Sequence, residues 1–212
     1  MTMPMFPEVV LFDLDGTLLD SAPDMLATVN RMRAVRGQGP MTLEALRPQV
    51  SKGSRAMSAA AFPELGGDVP AEMIREFLDI YEQELGSHSV LFEGVARLLA
   101  DIEAAGSRWG IVTNKPEYLA KQILPTLGWQ SRCAVLIGGD TLAQRKPHPL
   151  PLLHAAQVLG VAVETCVYVG DDQRDIDAAR AANMRSVVAL WGYRPEGDDP
   201  AELADATGLR PL

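Results

Sequence analysis

Two cysteines and three histidines among 212 residues leave little material for a soft-metal centre. Cys133 and Cys166 lack metal-like spacing, and Cys166 sits in an apolar run, so buried reduced thiols are expected for both. None of His88, His148 and His154 pairs at zinc-ligand spacing. His154 is expected at the surface or in packing, and substrate contact is the less expected role for His148, between two prolines. Basic charge is scarce too: 19 Lys and Arg against 28 Asp and Glu give a net charge of -9. That balance argues against nucleic acid or an anionic membrane as partner, though not against an anionic substrate that feels only a local field. No run approaches the roughly 18 apolar residues of a membrane span. The first residues lack a basic region, and Glu8 and Asp13 interrupt any apolar stretch, so no signal peptide is expected and the cytoplasm is the expected location. Repeats and low-complexity tracts are absent. Hydrophobic and charged fractions of 47% and 22% are those of an ordinary globular protein, long enough for one domain and an inserted lobe.

The chain is organised around Val9-Val10-Leu11-Phe12-Asp13-Leu14-Asp15-Gly16-Thr17. Four apolar residues read as a short buried strand that delivers two carboxylates and then a Gly for the turn. Paired acids at a strand end are costly unless a cation joins them, so a divalent metal site with a carboxylate free to attack is the economical reading. After Ser21, helices are expected from Pro23 to Gly37, over 42–46, over 54–62 and from Pro70 to Leu85, with no strand signal between about 20 and 88. From Val90 a βαβ rhythm resumes, with strands at 109–113, 134–137, 166–169 and 186–190 and helices between them. The expected architecture is therefore α/β, a Rossmann-like core of residues 1–19 and 90–212 interrupted by an all-helical cap over 20–89. The polar tail from Pro195 carries little pattern.

Polar groups recur where successive strands stop: Asp13 and Asp15, then Thr113 and Asn114, then Lys146 in a loop, then Gly170-Asp171-Asp172-Gln173-Arg174-Asp175. In an open parallel sheet such ends share one crevice. One Asp-x-Asp is as often a turn as a site; all four groups in this order are similar to the haloacid dehalogenase-like hydrolases, and the likeness covers nearly the whole chain to about residue 192.

The resemblance implies a magnesium-dependent phosphatase acting on a small phosphorylated metabolite through an aspartyl-phosphate. Asp13 would be the nucleophile and Asp15 the acid, then base, its backbone carbonyl facing the metal. Asp13 and Asp171 would bind Mg2+ directly, with Asp175 ordering its outer sphere. Thr113 and Asn114 would be neutral donors to the phosphoryl oxygens, and Lys146 the fixed cation, worth about 4 kcal/mol at ~4 Å and an effective dielectric near 20. Asp172, where relatives often carry Ser or Thr, is expected to cap a helix rather than add a ligand. Lys115 either extends the phosphate field or is exposed.

A helical insertion at this point resembles the cap of the phosphoglycolate phosphatase-like branch. Within it, Lys52, Gly53, Ser54 and Arg55 are the candidates to clamp a substrate carboxylate or hydroxyls. Lys52-Gly53-Ser54-Arg55-Ala56-Met57, the exit His88-Ser89-Val90-Leu91-Phe92-Glu93-Gly94 and the Gly170–Ile176 loop look like bacterial N-acetylmuramic acid 6-phosphate phosphatases. Phosphoglycolate is the first substrate reading and that amino-sugar phosphate the alternative. A sugar-phosphate mutase and a non-catalytic phosphometabolite sensor are the remaining rivals. Asp15 argues against dehalogenation, since dehalogenases typically lack this second acid. A monomer or a homodimer is expected, with hinges around 16–21 and 88–94.

Overall fold

The computed structural model describes residues 6–193; the tail from Pro195 lies outside them. Five parallel strands form one sheet in the order β5-β4-β1-β6-β7: β1 (Val9–Phe12), β4 (Arg108–Val112), β5 (Leu136–Ile137), β6 (Cys166–Gly170) and β7 (Arg185–Val188). β1 is central, paired to β4 on one side and β6 on the other. Its alternating residues explain why it is apolar throughout. Val10 and Phe12 face a core with α5 (Val95–Ala104) and α6 (Glu117–Thr126), whereas Val9 and Leu11 face a second core with α7 (Leu150–Leu159) and α8 (Gln173–Ala181). The chain runs from β1 through β4 to β5, then returns to β6 on the far side. The order therefore reverses at β1, the position where open α/β sheets make their crevice.

Between β1 and α5 stand four further α-helices: α1 (Ala22–Val35), α2 (Leu43–Leu46), α3 (Ser54–Ala61) and α4 (Ala71–Glu84). Met25, Val29, Met32, Met57, Phe62, Phe77 and Tyr81 pack into an apolar cluster that also takes in Leu119 of α6 and Tyr193. Pro23 sits in the first turn of α1, where its missing N–H is no loss. Thr42 caps α2 by accepting from the Ala45 N–H.

Where the all-helical reading expected no strand near residues 20 and 88, the structure has a small antiparallel ribbon. β2 (Leu19–Asp20) pairs with β3 (Val90–Leu91), Leu19 opposite Leu91. Two-residue strands have no periodicity for a sequence to display. Beside this ribbon the buried Asp24 carboxylate accepts from Gly86 N (2.7 Å), His88 N (2.6 Å) and Ser89 Oγ. The start of α1 is thus tied to the segment that leaves α4.

The remaining strand and helix limits differ from expectation by one or two residues. The third sheet strand shortens to Leu136–Ile137, with a bend at Ala134 before it, although Ala134 and Val135 still hydrogen-bond to Trp109 and Ile111 of β4. Cys166 is buried and Cys133 half-buried, its thiol pushed up to about 11 by burial. No helix among the described residues is long and apolar enough to cross a membrane.

Candidate active site

Asp13 leaves the end of β1, Thr113 and Asn114 the end of β4, and Asp171 the end of β6. Two glycines let these ends crowd. Gly16 holds φ +88°, and a Cβ there would stand 2.4 Å from an Asp171 oxygen; a Cβ on Gly170 would stand 2.3 Å from Asp175.

Asp13, Asp171 and Asp175 are all buried, and each offers a carboxylate oxygen to a group lying within 4.8 Å of one another. Lys146 Nζ enters from the loop before α7, 3.0 Å from Asp13 Oδ1, 2.7 Å from Asp175 Oδ1 and 2.7 Å from the Tyr168 hydroxyl. Asp171 accepts from Thr17 Oγ1 (3.0 Å), Ser51 Oγ (2.9 Å) and the Tyr193 N–H (2.9 Å). Burial pushes the Asp13 carboxyl up to about 7; the Lys146 ammonium opposes this, and Asp175, Asp171 and Asp15 reinforce it. Burial and Asp175 push Asp171 up to about 6. For Lys146 burial works against the charge, but Asp13 and Asp175 outweigh it and its pKa is raised.

Three carboxylates facing one ammonium leave the cluster negative in a dry site. Asp13 Oδ1 is occupied by the Leu14 N–H (2.8 Å) and Lys146, whereas among the described residues no hydrogen bond reaches Oδ2. Hard oxygen donors, surplus negative charge and an uncommitted carboxylate oxygen fit a divalent cation such as Mg2+.

Several expected site residues are placed differently from the sequence reading. The Asn114 side chain is turned onto Lys146: its Nδ2 donates to the Lys146 carbonyl (3.0 Å) and its Oδ1 accepts from the Lys146 N–H (3.1 Å). Its side-chain amide thus braces the lysine loop, while Asn114 itself lines the cavity. The Thr113 hydroxyl accepts from the Lys115 N–H (3.2 Å) and keeps its own proton to give.

Asp175 joins the cluster and also closes a capping box with Asp172 at the start of α8, because Asp172 caps that helix. Arg55 is a correction to the sequence reading. Its guanidinium donates to the Val69 carbonyl (2.8 Å), away from the crevice, because the N-terminal turn of α3 aims it across the bundle. Lys52, Gly53 and Ser54 do line the crevice. Lys115 is neither exposed nor free: its ammonium is buried against Asp15.

The crevice is a cavity of about 290 Å³ between the strand ends and the helical bundle. Asp13, Asp15 and Thr113 form its floor, Met25, Met57, Ile74, Phe77, Leu78 and Leu119 an apolar wall, and Lys52, Arg145 and Arg174 a basic rim. The sequence reading assigned no role to Arg174, Tyr81 or Tyr193, and Ser51 entered it only as the first residue of the cap stretch that runs to Met57. Arg174 donates to the Ser51 carbonyl and pairs with Asp172, pinning the loop before α3 to the start of α8. Arg174 falls inside the metal-type motif and was visible there; Tyr81 lies in a helix and Tyr193 near the tail, without a pattern to flag either.

A parallel sheet of this order, with an Asp-x-Asp strand end facing a second acidic loop and a buried lysine, defines a hydrolase of a known kind. The model of the haloacid dehalogenase-like hydrolases matches residues 10–189, and the chain belongs to that family. A phosphoglycolate phosphatase of Xanthomonas campestris pv. campestris is 67% identical over 195 residues, 92% of this chain and 88% of that one. An N-acetylmuramic acid 6-phosphate phosphatase of Pseudomonas aeruginosa is 44% identical over 196 residues, 92% and 86% of the two chains. Among solved structures, a protein of Haemophilus somnus 129pt described as a predicted phosphoglycolate phosphatase superposes with a TM-score of 0.80 at 25% identity. That match covers 96% of this chain and 92% of the other.

Proposed function

We propose that this chain is a magnesium-dependent phosphatase that hydrolyses a small phosphomonoester through an aspartyl-phosphate, most like a phosphoglycolate phosphatase. The observation that carries the reading is the Asp13 carboxylate. One of its oxygens is pinned by Leu14 and Lys146, and the other is uncommitted at the floor of the cavity. In the first transfer that second oxygen attacks phosphorus, and the bond from phosphorus to the ester oxygen breaks. Asp15, on the same floor, gives its proton to the departing alkoxide. Asp15 then takes a proton from the water that attacks the aspartyl-phosphate, and the bond from phosphorus to Asp13 breaks, restoring the carboxylate. Lys146 and the Thr113 hydroxyl face the charge that develops on the phosphoryl oxygens.

Asp13, Asp171 and the Asp15 carbonyl would hold Mg2+, with Asp175 ordering its outer sphere. When bound, the cation neutralises the phosphate so that a carboxylate can approach it. Residues 20–89 act in this reading as a cap that excludes water from the cavity, with Lys52, Gly53 and Ser54 meeting the leaving group. The enzyme would work in the cytoplasm, as a monomer or a homodimer.

N-acetylmuramic acid 6-phosphate is the second reading, and the cavity favours it. About 290 Å³ with six apolar residues along one wall is near the lower end of sites that enclose whole drug-sized ligands, roughly 300–1,000 Å³. Glycolate, a two-carbon acid, has no apolar group to lay on that wall, whereas an N-acetylated lactyl sugar does. The test is phosphate release, with and without Mg2+, from 2-phosphoglycolate, N-acetylmuramic acid 6-phosphate and simple sugar phosphates side by side. The ester released fastest, by kcat/KM, identifies the substrate. Interconversion of isomers without phosphate release would reveal a mutase, and release from none of them would refute the phosphatase reading in favour of a sensor.

A further inference from the structure

Lys115 and Tyr81 have no role in the scheme above, yet they meet its proton-transfer residue. The Lys115 side chain is 2% exposed, and its Nζ lies 3.0 Å from Asp15 Oδ1 and 3.2 Å from Oδ2. Ser21 Oγ donates to the same Oδ1 at 2.6 Å. On its other side the ammonium bonds the Tyr81 hydroxyl and sits 4.4 Å from the centroid of the Tyr81 ring. Tyr81 belongs to α4, where its ring stacks on Phe77 at 6.0 Å within the apolar cluster of the bundle.

These contacts form a chain with a physical consequence. Lys115 and Ser21 both donate to Asp15 Oδ1, so they hold this carboxyl in place whether or not its other oxygen carries the proton to be transferred. Two donors, from Ser21 and Lys115, restrict rotation of the Asp15 carboxylate. Tyr81 is where α4 touches this arrangement: if α4 lifts from the core, Lys115 loses both its hydroxyl partner and the ring face.

We propose that Lys115 is a positioning residue that fixes the Asp15 carboxylate on the cavity floor. Tyr81 transmits that constraint from the bundle, so Asp15 is set for proton transfer while α4 is seated on the core. The inference rests on Asp15 being the proton-transfer residue, and the test separates the two.

Its readout is single-turnover release of the leaving group from two Mg2+-supported substrates. One is the alkyl phosphate that ranks first in the panel above; the other is p-nitrophenyl phosphate, whose leaving oxygen needs no proton. Asp15→Asn should slow the alkyl ester by about 10²–10⁴-fold and the aryl ester far less. Lys115→Met keeps an unbranched side chain of similar length without charge. Misplacing a catalytic group by 1 Å costs up to about 10²-fold, so a loss of about tenfold or more is expected on the alkyl ester and under about threefold on the aryl ester. Tyr81→Phe keeps the ring and removes the hydroxyl. It should move the ratio in the same direction by about threefold, and it carries the test if Lys115→Met fails to fold. If Asp15→Asn shows the split while Lys115→Met and Tyr81→Phe slow both esters equally or neither, the positioning role is overturned. If Asp15→Asn itself shows no split, the assignment of Asp15 falls first.

Discussion

The crowding of Asp13, Asp171 and Asp175 makes metal binding a function of pH that can be read from stability alone. Burial and mutual repulsion push Asp13 up to about 7 and Asp171 up to about 6, against a reference of 3.8. A carboxyl raised on folding binds its proton more tightly in the folded state. Its favourable contribution is complete below the unfolded value and is lost as pH rises through the folded one. The metal-free protein should therefore lose stability between about pH 4 and pH 8, a window set by those two groups.

Mg2+ should reverse that loss, and more strongly the higher the pH. With the cation at about 100 times its dissociation constant at pH 8, binding stabilises by about 2.7 kcal/mol, or roughly 5–11 °C in Tm for a domain of this size. At pH 5 the cation must displace the Asp13 proton, whose pKa is near 7. Displacing that proton and the one on Asp171, near 6, weakens apparent affinity about a thousandfold and leaves under about 0.1 kcal/mol, a shift of well under about 1 °C. Thermal melts by circular dichroism, with Mg2+ or with EDTA at pH 5 and pH 8, test this directly. Asp171→Asn should flatten the response at both pH values. Equal shifts at the two pH values, or none at pH 8 with millimolar Mg2+, would refute the argument that these buried carboxylates bind the ion.

Asp13→Asn should abolish phosphate release, by at least about 10³-fold, because an amide oxygen cannot form the aspartyl-phosphate; steady-state turnover near wild type would remove Asp13 as nucleophile. Asn114→Ala frees the Lys146 main chain from both of its hydrogen bonds. A kcat loss of about 10- to 100-fold is expected, with KM and melting temperature moving less, and an unchanged kcat would show that the loop holds the lysine without it. Asp24→Ala strands the Gly86 and His88 N–H groups and the Ser89 hydroxyl beside the ribbon. It should cost about 3 kcal/mol, roughly 6–12 °C in Tm, and a shift under about 2 °C would mean water replaces the carboxylate.

Much of this protein was legible in the order of its residues. The sheet strands and the long helices follow from apolar runs of four or five residues and from 3.6-residue periodicity, which are local properties of the chain. The ends of β1, β4 and β6 carry their polar groups in sequence, so Asp13, Thr113 and Asp171 were identifiable before their distances were known. The cap of α8 was legible for the same reason, since Asp172 and Asp175 meet within one turn.

Tertiary structure decided what depends on rotamers and on contacts between distant segments. Asn114 lines the cavity, but only the fold shows that its amide meets Lys146, 32 residues away, because the loop before α7 folds back beside β4. Arg55 was expected in the crevice and points across the bundle, since helical phase selects its direction and a loop-to-helix junction leaves that phase unset by composition. Lys115 had two open readings, of which the structure removes exposure: the ammonium is buried between Asp15 and Tyr81, joined by contacts 100 and 34 residues apart. Sequence alone determined which chemical groups the strands deliver, because period and turn chemistry are written locally. Only the packed fold determined which of those groups are paired, which are left facing the cavity, and how the helical bundle touches them, because burial and pairing are properties of neighbours in space.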